Sequence, residues 1–417
     1  MLYLSNDDPD LAKLVNNEEN RLETTLNLIA AENHSPQSIT EVMGSVFNTK
    51  TIEGYPGKRF HAGCIHVDEV ESLASARGKA LFKAEHINVQ PHSGTSANLA
   101  VYFSVLNVGD KILSMSLPHG GHLSHGHEAS ITSKCFNFSH YQVNPETQLI
   151  DYNQIQEIAH LIKPKMIVAG ASSYPRLIDY EKISQIAKEV SAFFLTDMAH
   201  LAGLVAAKQI PSPVPYSDFV TFTCYKTMMG GRGGVILCKE IFGKKIDKAI
   251  FPGCQGTSAV NLIAAKALIF KLATEKKFIS IQKKTIQNAK IMAQILMEKG
   301  YNVISGGTDN HQVLVDLTSK NISGKSAENC LESVGIILNR NVVPKDESHP
   351  GKVSGIRIGS GAVSARNMGK PQIRKIIELL DMAIMKREDM KIIKKIKNSV
   401  LKLCKAFPVH ENKTETY

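Results

Sequence analysis

In two segments, Phe193-Phe-Leu-Thr-Asp-Met-Ala-His200 and Phe219-Val-Thr-Phe-Thr-Cys-Tyr-Lys226, polar residues follow directly on a short apolar run. Such runs predict buried strands, and ligands of open α/β sheets bind at the carboxyl ends of strands. Asp197 and Lys226 could therefore meet in one cleft. There a carboxylate could keep a pyridine nitrogen protonated while a lysine holds an aldehyde as an imine, which is what pyridoxal chemistry needs. For either residue alone, a helix-capping Asp or a loop Lys remains the simpler interpretation.

Short apolar runs alternate with stretches of helical spacing around these segments. The predicted strands are 111–115, 166–171, 193–196, 219–223 and 235–238. The predicted helices between them are 95–106, 152–161 and 181–190. This alternation predicts a largely parallel, doubly wound sheet.

The two ends of the chain show different patterns. An amphipathic helix is predicted over 11–30, a long helical stretch over 259–299, strands at 312–316, 336–338 and 357–358, and a helical tail over 370–407. The prediction is an N-terminal helical arm (1–30), a large domain (31–270) and a smaller C-terminal α+β domain (271–417).

The chain has 417 residues and a formal net charge of +10, from 49 basic and 39 acidic residues. Much of the excess lies in a lysine-rich run near the C-terminus, which a solvated helix face explains, so nucleic acid is not the expected partner. The positive field favours anionic cofactors and substrates.

The seven cysteines form no C-x-x-C pair, which argues against a zinc site or a disulfide framework. Residues 1–10 lack the apolar core of a signal peptide, and no apolar run approaches the ~20 residues that span a bilayer. We therefore expect a cytoplasmic protein without a membrane partner.

A hydroxyl-rich turn, His92-Ser-Gly-Thr-Ser-Ala-Asn98, opens a predicted helix. The N–H groups and dipole at a helix N-terminus suit a phosphate, although a plain Ser/Thr cap explains the turn equally well. Three histidines at spacing three in Pro118-His-Gly-Gly-His-Leu-Ser-His-Gly-His127 could suggest a metal. The glycines break any helix that would align them, so no metal is predicted, and stacking on a flat cofactor ring is the better use for one histidine.

Together these segments resemble the serine hydroxymethyltransferase (glycine hydroxymethyltransferase) family, in collinear order over nearly the whole chain. The matching stretches are Leu28-Ile-Ala-Ala-Glu-Asn33, Glu53-Gly-Tyr-Pro-Gly-Lys-Arg59, Asn88-Val-Gln-Pro-His-Ser-Gly94, His119-Gly-Gly-His-Leu-Ser-His-Gly126, Asp197-Met-Ala-His-Leu-Ala-Gly-Leu-Val-Ala206, Ser305-Gly-Gly-Thr-Asp-Asn-His311 and Ser354-Gly-Ile-Arg-Ile-Gly359. The resemblance implies a fold-type I (aspartate-aminotransferase-like) enzyme that uses pyridoxal 5'-phosphate (PLP), with 31–270 as its PLP-binding domain. It also implies a homodimer, or a dimer of dimers, with shared active sites.

The resemblance assigns roles around the cofactor. Lys226 would be the Schiff-base lysine, Asp197 would pair with the pyridine nitrogen, and His122 would stack on the ring. The other implied cofactor residues are His200 near the phenolic oxygen, Ser93, Gly94 and Thr95 at the phosphate, Ser172 beside the cofactor, and Gly253 reaching a neighbouring subunit's phosphate.

The resemblance also assigns substrate roles. Arg357 matches the arginine that grips the substrate carboxylate, for which a bidentate fork is suited. Glu53 matches the acid–base carboxylate. The positions matching the folate pocket, for tetrahydrofolate as cosubstrate, are Leu117, Gly121, Leu123, Asn341 and Phe251.

Departures from the family pattern cluster at the substrate. They are Ala31 for serine, Thr51 for tyrosine, Phe60 and His61 for paired aromatics with phenolic hydroxyls, Tyr225 for histidine, Cys254 for a small residue, Thr257-Ser258 for Gly-Pro and Ser360-Gly361 for Thr-Pro. Losing a buried hydroxyl partner costs ~1–3 kcal/mol. Either His61, Tyr225 and water replace those groups, or the pocket serves another amino acid.

The sequence is therefore compatible with three functions. The first is serine/glycine hydroxymethyl transfer with tetrahydrofolate. The second is a folate-independent aldolase or transaldolase acting on a β-hydroxy or α-substituted amino acid. The third is a catalytically weak PLP-binding paralogue.

Overall fold

The computed structural model describes residues 2–348 and 353–410. Its strands are β1 Leu26–Asn27, β2 Gly54–Tyr55, β3 Lys58–Arg59, β4 His86–Asn88, β5 Lys111–Met115, β6 Asn137–Tyr141, β7 Met166–Ala169, β8 Phe193–Asp197, β9 Phe219–Thr223, β10 Gly234–Cys238, β11 Asn302–Val303, β12 Gln312–Asp316, β13 Ile336–Ile337, β14 Asn339–Asn341 and β15 Gly355–Gly359.

The α-helices are α1 Leu2–Asp7, α2 Pro9–Thr24, α3 Gln37–Met43, α4 Ile65–Phe82, α5 Gly94–Val105, α6 Ile131–Cys135, α7 Tyr152–Ile162, α8 Tyr180–Glu189, α9 Ala202–Ala206, α10 Gly243–Lys248, α11 Val260–Leu272, α12 Lys276–Glu298, α13 Gly324–Ser333, α14 Gly361–Ala365, α15 Lys370–Met385 and α16 Met390–Ala406. Among the described residues, no helix combines the length and the apolar character that crossing a membrane requires.

The large sheet has seven strands in the order β4-β10-β9-β8-β7-β5-β6. The strands from β9 to β6 run parallel, and β10 runs antiparallel to β9 and β4. Every residue of β7, β9 and β10 is buried, as expected of strands covered on both faces. The predicted doubly wound, largely parallel sheet is confirmed.

The large sheet also corrects the strand predictions. β4 and β6 were not predicted, because half-exposed residues in β6 break the apolar pattern. β7 ends at Ala169 rather than at 171, because Gly170 turns the chain with φ of +130°. A Cβ at Gly170 would lie 2.1 Å from the Asp197 carbonyl oxygen, so the chain passes there against the end of β8.

A second sheet of four strands, in the order β11-β12-β15-β14, lies in the C-terminal part of the chain. Its strands pair antiparallel, and its apolar side chains share a core with α12, α13 and α15. This sheet fits the predicted smaller α+β domain, whose boundaries stay a prediction.

The N-terminal helix prediction over 11–30 is wrong beyond Thr24. The β-branched Thr25 is extended, and the chain continues as β1, which pairs parallel to β13. Leu26 and Leu28 are buried in the core of the C-terminal part. The end of the predicted arm therefore packs into the smaller C-terminal unit.

The helical stretch predicted over 259–299 is two helices. α11 ends at Leu272 and α12 begins at Lys276. Glu275 adopts an extended conformation between them, which interrupts the helix. The predicted tail over 370–407 is likewise divided, into α15 and α16.

Candidate active site

Asp197 and Lys226 line one cavity at the carboxyl edge of the large sheet. Asp197 is the last residue of β8, and Lys226 follows the end of the neighbouring β9. The Met198 amide donates to the Thr221 carbonyl, which holds the two strand ends together. Asp197 is 9% exposed and Lys226 is 6% exposed. A buried carboxylate and a buried amine in one concave site are candidates for chemistry.

Asp197 is held by a set of donors. Its Oδ2 accepts from Asn98 Nδ2 at 2.9 Å and faces His125 Nε2 at 3.1 Å, and its Oδ1 accepts from the Ala199 amide at 2.9 Å. Burial alone would raise the pKa of this carboxyl. The hydrogen bond and charge of His125, the charge of His122 and the hydrogen bond of Asn98 outweigh burial and hold its pKa well below the usual range. Asp197 therefore stays an anion inside the protein.

Lys226 is poised to act as a neutral amine. Burial lowers its pKa to about 8, against the attraction of Asp197 and with help from the positive charge of Arg357. A lysine with a lowered pKa is a nucleophile near neutral pH.

The hydroxyl-rich turn begins α5 and borders the same cavity. Ser93 caps the helix by accepting from the Ser96 amide at 3.1 Å, and Ser93, Gly94 and Thr95 line the cavity. A Cβ at Gly94 would lie 2.8 Å from Cγ2 of Thr223, so only glycine lets the helix start this close to the end of β9. The N–H groups of the first helical turn have no partner within the helix and suit an anion.

The histidine-rich loop places both His122 and His125 at the cavity, and Nε2 of His125 faces Asp197. Nδ1 of His122 accepts from the Ser124 amide at 3.2 Å, and burial lowers the pKa of His122 to about 4. His119 lies apart, where its Nδ1 accepts from the Val143 amide. The three histidines at spacing three therefore do not converge.

His122, His125 and Asp197 each offer one ligand atom, and these three atoms lie within 4.8 Å of one another. Such a group could hold a metal ion. The hydrogen bonds from His125 and Asn98 to Asp197 explain this grouping without a metal. The absence of a metal stays a prediction.

Three further predicted residues line the cavity: Ser172, His200 and Tyr225. The Ser172 amide donates to the Gly120 carbonyl at 2.7 Å, and the Tyr225 ring lies 4.4 Å from the guanidinium carbon of Arg232.

Arg357 lies in the middle of β15, beside the cavity. It donates to the Ser172 carbonyl at 2.5 Å and to Asn339 Oδ1 at 3.3 Å. No carboxylate of residues 2–348 or 353–410 forms an ion pair with it, and burial lowers its pKa to about 10. A buried guanidinium without a carboxylate partner is a suitable site for the carboxylate of a ligand.

Glu53, Thr51, His61, Gly253 and Phe251 do not line the cavity around Lys226. A second group of residues around the loop 251–257 contains Glu53, Gly253 and Phe251, with Thr51 next to Ile52. The Ile52 amide donates to Thr257 Oγ1 at 2.6 Å, a Cβ at Gly256 would lie 3.9 Å from a Glu53 carboxylate oxygen, and the ring of Phe60 is 5.6 Å from that of Phe251.

The predicted folate residues fall in two places. Leu117, Gly121 and Leu123 flank His122 in the histidine-rich loop, and both leucines are exposed. Asn341 ends β14, and the short helix that follows it lies against 117–119. Phe251 belongs to the second group.

Asn98 and His125 are site residues to which no role was assigned from sequence. Both act on Asp197 from elements distant along the chain. The only sequence signal was their place in the two polar segments. Asn98 follows Thr95 by three residues, about one helical turn, and His125 follows His122 by three residues.

The groups in the cavity fit a phosphate-bearing pyridine aldehyde. Lys226 can bond an aldehyde, Asp197 can hold a proton on a ring nitrogen, and the start of α5 can bind a phosphate.

A family model described as serine hydroxymethyltransferase matches residues 4–380 of the 417-residue chain. The match includes both sheets and every residue of the cavity.

Proposed function

The chain belongs to the serine hydroxymethyltransferase family, and we propose that it transfers a hydroxymethyl group between serine and glycine with tetrahydrofolate as cosubstrate. The family is PLP-dependent and has fold type I, the architecture expected from the sequence. The observation that carries the proposal is that Lys226, Asp197 and the start of α5 share one cavity with Arg357 at its edge.

When bound, PLP supplies an electron sink for the bond broken at the α-carbon of an amino acid. Lys226, as a neutral amine, would be the group that bonds the aldehyde carbon and is replaced there by the amino group of the substrate. Asp197 keeps the ring nitrogen protonated, because its own pKa is held low by His125, His122 and Asn98.

The remaining cavity residues bind and orient. Ser93, Gly94 and Thr95 bind the phosphate through the helix N-terminus, and His122 covers a ring face. Arg357 binds the substrate carboxylate, exchanging its contact with the Ser172 carbonyl for a bidentate ion pair.

Glu53 moves the proton at the substrate hydroxyl. Because the group around 251–257 lies outside the cavity, we propose that Glu53, Gly253 and Phe251 serve the cavity of a second copy of the chain, in a homodimer or a dimer of dimers. The cytoplasmic location also remains a proposal.

A folate-independent aldolase is the second candidate, and one observation favours it. Thr51, Phe60, Cys254 and Thr257, all departures from the family pattern, lie on or beside the loop that contacts Glu53. These four changes lie where the hydroxyl of a substrate would be handled, whereas Lys226 and Asp197 are retained.

The test is to supply the PLP-loaded protein with serine and tetrahydrofolate and to measure glycine. We expect folate-dependent glycine formation. Arg357→Leu should lower kcat/KM by at least about a hundredfold, the loss of roughly 2.7 kcal/mol in carboxylate binding. The matched control is Arg340→Leu. Arg340 is a half-exposed arginine on β14, next to the strand of Arg357, and it pairs with Glu328 on α13. This substitution should leave kcat/KM unchanged.

Other outcomes overturn the proposal in distinct ways. Cleavage of a bulkier β-hydroxy amino acid without folate, and no glycine from serine, would establish the aldolase. Binding of PLP without reaction of any amino acid would establish the binding paralogue.

A further inference from the structure

His200, at the edge of the large sheet, contacts His311, at the edge of the four-stranded sheet. His200 follows β8 shortly after Asp197, and His311 directly precedes β12. Nδ1 of His200 lies 3.3 Å from Nε2 of His311, and the ring planes are 25° apart. The contact is therefore between the edges of two nearly coplanar rings. His200 is 3% exposed and His311 is 1% exposed, so water does not compete for these nitrogens.

The proton of His311 is placed by a carbonyl. Nε2 of His311 lies 3.1 Å from the Ala30 carbonyl oxygen, which can only accept a hydrogen bond. Nε2 therefore carries hydrogen. Burial lowers the pKa of His311 to about 3, so the ring is neutral and its Nδ1 is bare.

This arrangement decides which nitrogen of His200 is protonated. A hydrogen on Nδ1 of His200 would point at a nitrogen that already carries one. Nδ1 must therefore be the bare nitrogen, which accepts a share of the His311 N–H. Burial, with the charges of Lys226 and Arg357, holds the pKa of His200 well below the usual value, so the ring is neutral and its one proton is on Nε2.

We propose that His311 is a positioning residue that fixes His200 in the Nε2–H tautomer and so presents an N–H donor to the cavity of Lys226. The tautomer follows from the protein's own contacts. Its use as a donor to the cofactor rests on the proposed function.

The same contacts connect His200 to the strand that carries Arg357. The Ser360 amide donates to the His311 carbonyl at 2.9 Å, and a Cβ at Gly359 would lie 2.4 Å from Cα of Ala30. Ala30, whose carbonyl orients His311, therefore lies directly against the end of β15. The N-terminal segment, β15 and His200 form one connected unit.

The test is nitrogen NMR of the cofactor-free protein with labelled histidine, in which His200→Gln identifies the His200 signals. The wild type should show His200 as a single Nε2–H tautomer. His311→Leu removes the donor and should give a mixture of tautomers. His311→Gln places an amide N–H near the position of Nε2 and should restore the wild-type pattern.

The matched control is His34→Leu, another buried histidine, whose Nε2 has no hydrogen-bond partner among the described residues. It should leave the His200 signals unchanged. An Nδ1–H tautomer in the wild type, or an unchanged His200 pattern in His311→Leu, overturns the proposal whether or not hydroxymethyl transfer is observed.

Equilibrium binding of PLP gives the second readout. His311→Leu should bind PLP about 3- to 10-fold more weakly, the range expected for one hydrogen bond, while His311→Gln should bind as the wild type does. Equal binding by all three proteins would overturn the donor role. If the tautomer and binding differences hold in a protein without hydroxymethyltransferase activity, this proposal stands and only the proposed function fails.

Discussion

At the scale of single residues, the site depends on two buried ionisable groups with opposite environments. Asp197 is surrounded by donors that keep it charged, whereas burial drives Lys226 toward its neutral form. Anionic Asp197 and neutral Lys226 are the protonation states that a PLP enzyme needs before it binds cofactor.

The lowered pKa of Lys226 predicts how cofactor capture depends on pH. The neutral amine is the reactive form, and it is the minor form below its pKa of about 8. The initial rate of PLP capture by the cofactor-free protein should therefore rise with pH and level off above about 8. Stopped-flow absorbance measures this rate, and Lys226→Arg should show no capture. A midpoint near 10.5, the ordinary value for lysine, would contradict the assignment.

Removing the charge of Asp197 should harm the chemistry more than the fold. Asp197→Asn keeps one oxygen for its donors, so the free energy of unfolding should fall by only about 1–3 kcal/mol. Because the ring nitrogen loses its anionic partner, kcat should fall by at least about a hundredfold. The control is Asp218→Asn, a carboxylate paired with Lys239 at the other end of the sheet, which should keep its activity. Similar kcat values for the two variants would argue against the role of Asp197.

Sequence pattern could indicate Asp197 and Lys226 because each directly follows an apolar strand. It could not indicate Asn98 and His125 as the supports of Asp197, or His311 as the support of His200. These residues reach the site through the pairing of distant strands and helices, and nothing local in the sequence specifies such pairing.

At the scale of elements, the proposed phosphate site depends on the start of α5 approaching the end of β9. Gly94 permits that approach, and Thr223 is the residue it approaches. The sequence predicted both elements almost to their observed ends, since α5 and β9 have clear helical and strand patterns. It did not show that their ends lie against each other.

Gly94→Ala should therefore weaken PLP binding by about tenfold, because the added methyl group forces α5 away from β9 and misplaces the phosphate donors. Thr223→Ser removes Cγ2 but keeps the hydroxyl that donates to the Ala199 carbonyl. The double variant Gly94→Ala with Thr223→Ser should recover most of the affinity in equilibrium titration. Wild-type affinity in Gly94→Ala, or no recovery in the double variant, would contradict this explanation.

At the scale of the whole molecule, Arg366 joins the two ends of the chain. Its buried guanidinium donates to the carbonyls of Thr25 at 2.8 Å, Cys404 at 3.0 Å and Phe407 at 2.6 Å. The N-terminal segment thereby stays beside α16. The sequence predicted a helix through residue 30, whereas pairing with the distant β13 makes Leu26 and Asn27 a strand.

Arg366→Leu should lower the free energy of unfolding by about 3 kcal/mol or more, because several buried carbonyls lose their donor. Arg374→Leu, an exposed arginine on α15, should change it by only about 0.5 kcal/mol. Urea denaturation of both variants measures the difference. Equal stability of the two variants would show that Arg366 does not hold the chain ends.

Borohydride reduction followed by peptide mapping tests directly whether Lys226 is the residue that binds PLP. Lys266 provides an internal comparison, because burial lowers its pKa to about 8 as well. Its amine donates to the carbonyls of Val89 and Pro91 instead of facing the cavity. We predict that reduction attaches the cofactor to the Lys226 peptide alone and that Lys226→Arg is unlabelled. Labelling of Lys266, or no labelling of the PLP-loaded wild type, would show that Lys226 is not the attachment site.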